Sequence, residues 1–189
     1  TRTLRVVFTT RKHTVRLWSA TDIELIKTSS ELEHPFLSRI GPDVLNESST
    51  CELIEERLMS KNYQKKKAST LMLDQSVFSG LGNYLRSEIL FDAKIHPDDR
   101  PFDLDKKRIK KWAKSIKKIS YLAYKTGGFT VSKSFSDKNK ANGEPRESYR
   151  HAVFMRFRYK CLDCSSRIER KWYGKRKLDF CPNCQLSTK

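Results

Sequence analysis

Near the end of the chain, in "CLDCSSRIERKWYGKRKLDFCPNC", four cysteines are spaced as two pairs, Cys161 with Cys164 and Cys181 with Cys184. In a CxxC pair two thiolates can reach one ion from a single tight turn. The sixteen residues between the pairs suffice for a two-stranded ribbon that brings both turns to one tetrahedral centre. Four thiolates complete the ligand set and leave no open position for a catalytic water, so the expected chemistry is one structural zinc ion. Redox use of CxxC is the competing reading, but it needs one pair on a thioredoxin-like scaffold, and no such pattern surrounds either pair. The tip of the ribbon, "YGKRKL", then turns Lys175, Arg176 and Lys177 outward. Cys51 is the fifth cysteine; in line with Ile54 and Leu58 on a predicted helix, it reads as a buried, inert thiol.

A second stretch with chemical potential is "DQSVFSGLGNYLRSEIL". Gly80 and Gly82 let the backbone turn tightly just before a helix, so free amides and the positive end of the helix dipole face outward. Such a site suits a phosphate, with Asn83 as a side-chain donor. Many helices begin after glycine with no ligand in view, and the motif alone leaves both readings open.

Elements must place these residues. Leu4, Val6 and Phe8 alternate with Arg5 and Thr9, the turn "TTRKH" follows, and Val15 and Leu17 resume the alternation: a hairpin that begins at Thr1. "SATDIELIK" offers a short helix, and "ELEHPFLSRIGPDVL" an irregular segment. Ser49 and Glu52 form a capping box ahead of the Cys51, Ile54, Leu58 stripe. A second helix is expected over "KKKASTLMLDQ", and a third after the glycines, with Leu81, Leu85 and Ile89 at helical spacing. The longest helix falls in "DLDKKRIKKWAKSIKKISYLAYKTGG", with Ile109, Trp112, Ala113, Ile116 and Ala123 inward and Gly127 and Gly128 as the stop. "SKSFSDKNKANGEPRES" reads as a long mobile loop, and "HAVFMRFRYK" as a basic strand leading to the cysteines.

Composition bounds the possibilities. The 189 residues carry 39 Lys and Arg against 22 Asp and Glu, a formal charge of +17. An excess of this size points to a polyanionic partner or to a merely basic surface, and charge alone does not choose. No stretch is long and apolar enough to span a bilayer and no signal-peptide pattern opens the sequence. Paired rather than scattered cysteines argue for a reducing compartment.

Together, "LDQSVFSGLGNYLRSEILF" and the C-terminal CxxC…CxxC ribbon resemble the formamidopyrimidine-DNA glycosylase and endonuclease VIII family of base-excision repair enzymes. The resemblance extends through "TRTLRVVF", "SATDIEL", "HPFLSRIGPDVL" and "RKLDFCPNCQ", and the wording of "GLGNYLR" is nearer endonuclease VIII. It implies an α+β fold: residues 1–46 as a remnant of an N-terminal β-sandwich, 47–145 as a helix–two-turn–helix domain and 150–187 as a zinc finger. It implies a bifunctional DNA glycosylase and abasic-site lyase (β,δ-elimination) directed at oxidised pyrimidines. The implied partner is double-stranded DNA containing oxidised bases or abasic sites, bound by a monomer in a bacterial cytoplasm.

By the same resemblance Gly82 and Asn83 hold phosphates near the lesion. Arg39 is a DNA-contacting arginine, although read alone it is a solvated surface charge. Arg176, flanked by Lys175 and Lys177, grips the phosphates and donates the proton of the second elimination. The family's nucleophile is an N-terminal proline, assisted by a neighbouring glutamate and a lysine. The sequence opens instead at Thr1, so the expectation is a C-terminal portion of a longer protein, a DNA-binding piece without its own nucleophile. The segment 132–150 also departs from the family pattern and bears on base choice. A non-catalytic zinc-ribbon DNA-binding protein is the competing class.

Overall fold

The computed structural model describes residues 2–188; the expected strand start at Thr1 lies outside them. The chain forms two compact units, Thr1–Arg39 and Ile40–Lys189. The first holds an antiparallel hairpin of β1 (Leu4–Thr9) and β2 (Thr14–Trp18), with Phe8 opposite Val15 and Thr9 opposite Thr14. Its turn is fastened by Thr10, whose hydroxyl accepts from the His13 amide at 3.0 Å. The expected alternation is interrupted by a register shift between Leu4 and Val6. The helix expected in "SATDIELIK" does not form; those residues are extended or bent, and a 3-10 turn, Thr28–Glu33, follows them. Leu25 is fully exposed, and a short helix without an apolar face to bury does not hold in water.

The second unit contains α1 (Cys51–Met59), α2 (Ala68–Leu71), α3 (Asn83–Ala93), α4 (Lys106–Lys125), α5 (Lys133–Ala141), α6 (Arg146–Arg150), β3 (Glu169–Tyr173) and β4 (Arg176–Phe180). Helix α3 lies at its centre, with α4 against one face and β4 against another, and Leu85, Ile89 and Leu90 are buried among them. The predicted inward face of α4, Ile109, Trp112, Ala113, Ile116 and Ala123, is buried throughout. Leu178 and Phe180 of β4 enter the same core as Leu58, Ile89 and Trp112. Each such burial is worth about 1.5–3 kcal/mol, so the ribbon is welded to the helices. At the end of α4 the Gly128 amide donates to Ala123 O at 2.7 Å with φ +94, the left-handed stop that glycine favours.

Several local expectations are corrected. The cap of α1 is Thr50, which accepts from the Leu53 amide at 3.2 Å, while the Ser49 hydroxyl donates to Asp43 O at 2.6 Å. The second helix is only the four residues of α2. Cys51 is half-buried at the edge of the core. The long loop contains two helices: Ser132 caps α5 through the Phe135 amide, and Pro145 starts α6. The strand expected over "HAVFMRFRYK" is absent. Its amides are taken by carboxylates instead of a partner strand: Ala152, Val153 and Phe154 donate to Glu88 at 2.8 Å, and Met155 to Asp179 at 2.7 Å.

Candidate metal centre and nucleic-acid interface

The turns at 161–164 and 181–184 bring the Sγ atoms of Cys161, Cys164, Cys181 and Cys184 within 4.8 Å of one another. Cys161 and Cys184 are 3.9 Å apart, Cys164 and Cys181 3.5 Å. A disulfide requires about 2.05 Å, whereas sulfurs each about 2.3 Å from one tetrahedral ion lie roughly 3.8 Å apart. Each turn also points an amide back at sulfur: Asp163 N–H donates to Cys161 at 3.5 Å and Cys184 N–H to Cys181 at 3.4 Å. Hydrogen bonds from Ser166 and then Asn183 pull the Cys164 thiol down to about 5. Burial pushes Cys181 up. An ion held by these four cysteines would balance their mutually repelling thiolates, and this donor set fits zinc. Gln185 braces the second turn, accepting from the Cys181 amide at 2.9 Å and donating to Ile95 O at 2.8 Å.

From this centre β3 and β4 run out to the turn at Gly174, where Tyr173 pairs with Arg176 and Trp172 with Lys177. Lys175, Arg176 and Lys177 are all exposed. The base of the ribbon is held by Asp179, buried and paired with Arg170 at 2.5 and 2.9 Å.

The tip meets the start of α3. Gly80, at φ +82, makes the turn there, and Gln75 secures it by accepting from the Gly80 amide at 3.0 Å. Gly82 is the N-cap and contributes no side-chain cap. A Cβ built on Gly82 would meet nothing within 4 Å, so there is open space beside this N-cap, and no side-chain cap takes the first amides of α3. Asn83 does more than the sequence implied: its amide donates to Lys177 O at 3.0 Å, tying helix to finger. Arg86, 1% exposed, lies behind it and donates to Asn83 Oδ1 at 2.6 Å, Lys177 O at 3.0 Å and Ser69 O at 3.2 Å. Burial and then Arg176 pull Arg86 down to about 10, so it is a charged group at neutral pH with no carboxylate among these partners.

Asn83, Lys175, Arg176, Lys177, Trp172 and Phe154 line one cleft of about 420 Å³. Uncapped amides, three cations and an exposed indole facing one opening can hold a phosphate and its neighbours. Arg39 belongs to the other unit, where it is exposed and its Nε donates to Pro35 O at 2.7 Å.

Sequence reasoning missed Arg86 and Glu88. Glu88 is fully buried, and burial pushes its carboxyl up against the opposing pull of Thr130 and the amides of 152–154. Its four donors fix the chain entering the finger. The available signal was two charged residues of opposite sign, two positions apart, just ahead of the apolar run Ile89, Leu90 and Phe91.

Residues 40–134 match the formamidopyrimidine-DNA glycosylase H2TH domain. The chain is 37% identical over 185 residues to Endonuclease 8 of Shigella sonnei, covering 98% of this chain and 67% of that protein. It is 37% identical to Endonuclease 8 of Pectobacterium atrosepticum, covering 97% and 66%. Among solved structures, it resembles Lactococcus lactis formamidopyrimidine-DNA glycosylase bound non-covalently to DNA containing an abasic site, with TM-score 0.66 and 27% identity, over 94% of this chain but 58% of that one. The MutM (Fpg) protein of Thermus thermophilus shares the fold at TM-score 0.74 and 24% identity, over 96% of this chain and 68% of that one.

Proposed function

Because the chain belongs to the formamidopyrimidine-DNA glycosylase and endonuclease VIII family, we propose that it holds damaged double-stranded DNA for base-excision repair, as part of a bifunctional glycosylase and abasic-site lyase acting on oxidised pyrimidines. The observation that carries this reading is the junction at Asn83. One side-chain hydrogen bond to Lys177 O sets the open amide end of α3 beside the cations of a metal-fixed finger. Arg176 grips a backbone phosphate there and donates the proton of the second elimination. Asn83 and Gly82 present the helix amides, Lys175 and Lys177 neutralise flanking phosphates, and Arg39 adds a further DNA contact. Zinc is structural, held by the four cysteines. Residues 1–46 serve as part of the catalytic β-sandwich, 47–145 as the helical domain and 150–187 as the finger of a monomeric protein. The lyase step requires a neutral amine at the sugar carbon, a role that the permanently charged guanidinium of Arg176 does not fill.

The test is titration of an abasic-site duplex at several salt concentrations. Arg176→Ala is expected to weaken binding and to reduce the magnitude of the log–log salt slope by about 0.9, the value for one lost phosphate contact. An unchanged slope and affinity would remove Arg176 from the interface.

A further inference from the structure

Helix α4 carries eight lysines and one arginine in twenty residues, "KKRIKKWAKSIKKISYLAYK", and no acidic residue. Its cations are not spread evenly. Lys107, Lys111, Lys114, Lys118 and Lys125, spaced by four, three, four and seven residues, fall on one line directly opposite the buried Ile109, Trp112 and Ile116. At about 1.5 Å per residue the line is roughly 27 Å long.

A helix that only needed a soluble outer face would interleave acids at i+4. This one instead places like charges three and four residues apart and sets four of its lysines and Arg108 in the first six residues, where the helix dipole opposes them. Neighbouring elements relieve part of this: Arg108 pairs with the buried Asp99 at 3.1 Å, and the Asp105 carboxylate caps the helix by accepting from the Arg108 amide at 2.8 Å. Lys118 pairs with Asp92 of α3 at 2.7 Å, and Glu52 of α1 feels Lys110 and Lys114. Lys107, Lys111 and Lys114 have no ion pair among the described residues. An arrangement that opposes its own helix implies an external counter-charge of matching length.

The stripe is separate from the Asn83–Arg176 cleft. Asp92 turns toward α4, where it also accepts from Ser115 at 2.7 Å, whereas Asn83 and Arg86 turn toward β4. Apart from Lys118, which reaches Asp92, the lysine line lies opposite the buried face of α4. We propose that this outer face of α4 is a second nucleic-acid site that takes the phosphate backbone of another DNA segment while the cleft holds the first. The choice of DNA over an acidic protein rests on the function proposed above and on the axial step of about 4.5–6 Å between Lys107 and Lys118, which long lysine arms match to successive phosphates with no base contact.

The experiment uses two short duplexes, a donor-labelled one with an abasic site and an acceptor-labelled undamaged one, mixed with the protein at low salt. Energy transfer between them is expected for the unaltered protein. The variant Lys107→Gln/Lys111→Gln/Lys114→Gln is expected to lose it, with the salt slope for second-duplex capture reduced by about 2.7, while its titration of the abasic duplex alone stays within about twofold. Arg176→Ala should show the converse: weakened abasic-duplex binding and retained capture through the stripe. The triple Lys→Arg variant should restore transfer and so exclude a folding defect. Absence of transfer with the unaltered protein, or equal transfer with the triple Gln variant, overturns the proposal. Stripe-dependent binding of polyglutamate without duplex capture would assign the face to an acidic protein and overturn it equally. Loss of abasic-duplex binding by Arg176→Ala bears on the cleft alone, so the two readings fail separately.

Discussion

Asn83 and His151 show how single side chains here act through what they hold. Removing the Asn83 amide leaves Lys177 O and the buried Arg86 guanidinium each short of a partner. Asn83→Ala is therefore expected to cost about 1–3 kcal/mol and to loosen the finger against α3, seen as lower urea stability together with weaker abasic-duplex binding. Asn83→Asp should recover part of the stability, because its carboxylate faces Arg86, but not the binding, because it faces the phosphate too. His151 is 5% exposed, and burial, with Arg150 and Arg146 adding to it, pushes its pKa down to about 4. The unfolded chain takes up that proton near pH 6.5. As pH falls from about 6.5 to about 4 the unfolded state gains a proton that the folded state refuses, so stability is lost across that window and is complete above it. Between pH 7.5 and 5 the unaltered protein should lose about 2 kcal/mol more unfolding free energy than His151→Phe, measured by urea titration at each pH.

At the scale of elements, the ribbon has two supports of different kinds. Its base is fixed by four cysteines, and β4 is pinned to the helical core by Leu178 and Phe180. A two-stranded hairpin is marginal without support. Chelation of the metal is expected to release the turns at 161–164 and 181–184 first, with amide exchange accelerating in 159–185 while α3 and α4 remain protected. DNA affinity should fall with it, since the cations at 175–177 lose their fixed direction. Uniform exchange across the unit after chelation would show that the metal supports the helical core as well. Gly128 is a sharper case: a Cβ there would sit 2.2 Å from Arg150 Nη2 at φ +94, so Gly128→Ala both strains the backbone and displaces the arginine that fastens α6 to the end of α4.

For the whole molecule, a net charge of +17 acts on any duplex. Phosphate contacts position the protein without reading sequence or damage. Undamaged and abasic duplexes are thus expected to give the same salt slope and to differ only in the intercept of the log–log plot. A steeper slope on the abasic duplex would mean that cations outside the cleft are recruited by the lesion.

The clustering of the four cysteines, the α4 core face and its glycine stop were legible in the sequence because each depends on short-range periodicity or spacing. The CxxC pairs need only two tight turns, and the i, i+3, i+4 apolar pattern needs only one helix. The same pattern carried the lysine stripe in plain view. What tertiary structure alone decided lies where a backbone or side chain finds its partner far along the chain. "HAVFMRFRYK" has strand composition, yet its amides go to Glu88 and Asp179, 64 and 24 residues away. Nothing local distinguishes a carboxylate from a strand edge as the acceptor. Likewise Asn83 reads as a phosphate donor by its place after glycine, and only the approach of Lys177 O, 94 residues later, makes it the joint between helix and finger. Local propensity sets which conformations are cheap; the long-range pairing of buried polar groups selects among them, because each one left unpaired costs more than propensity contributes.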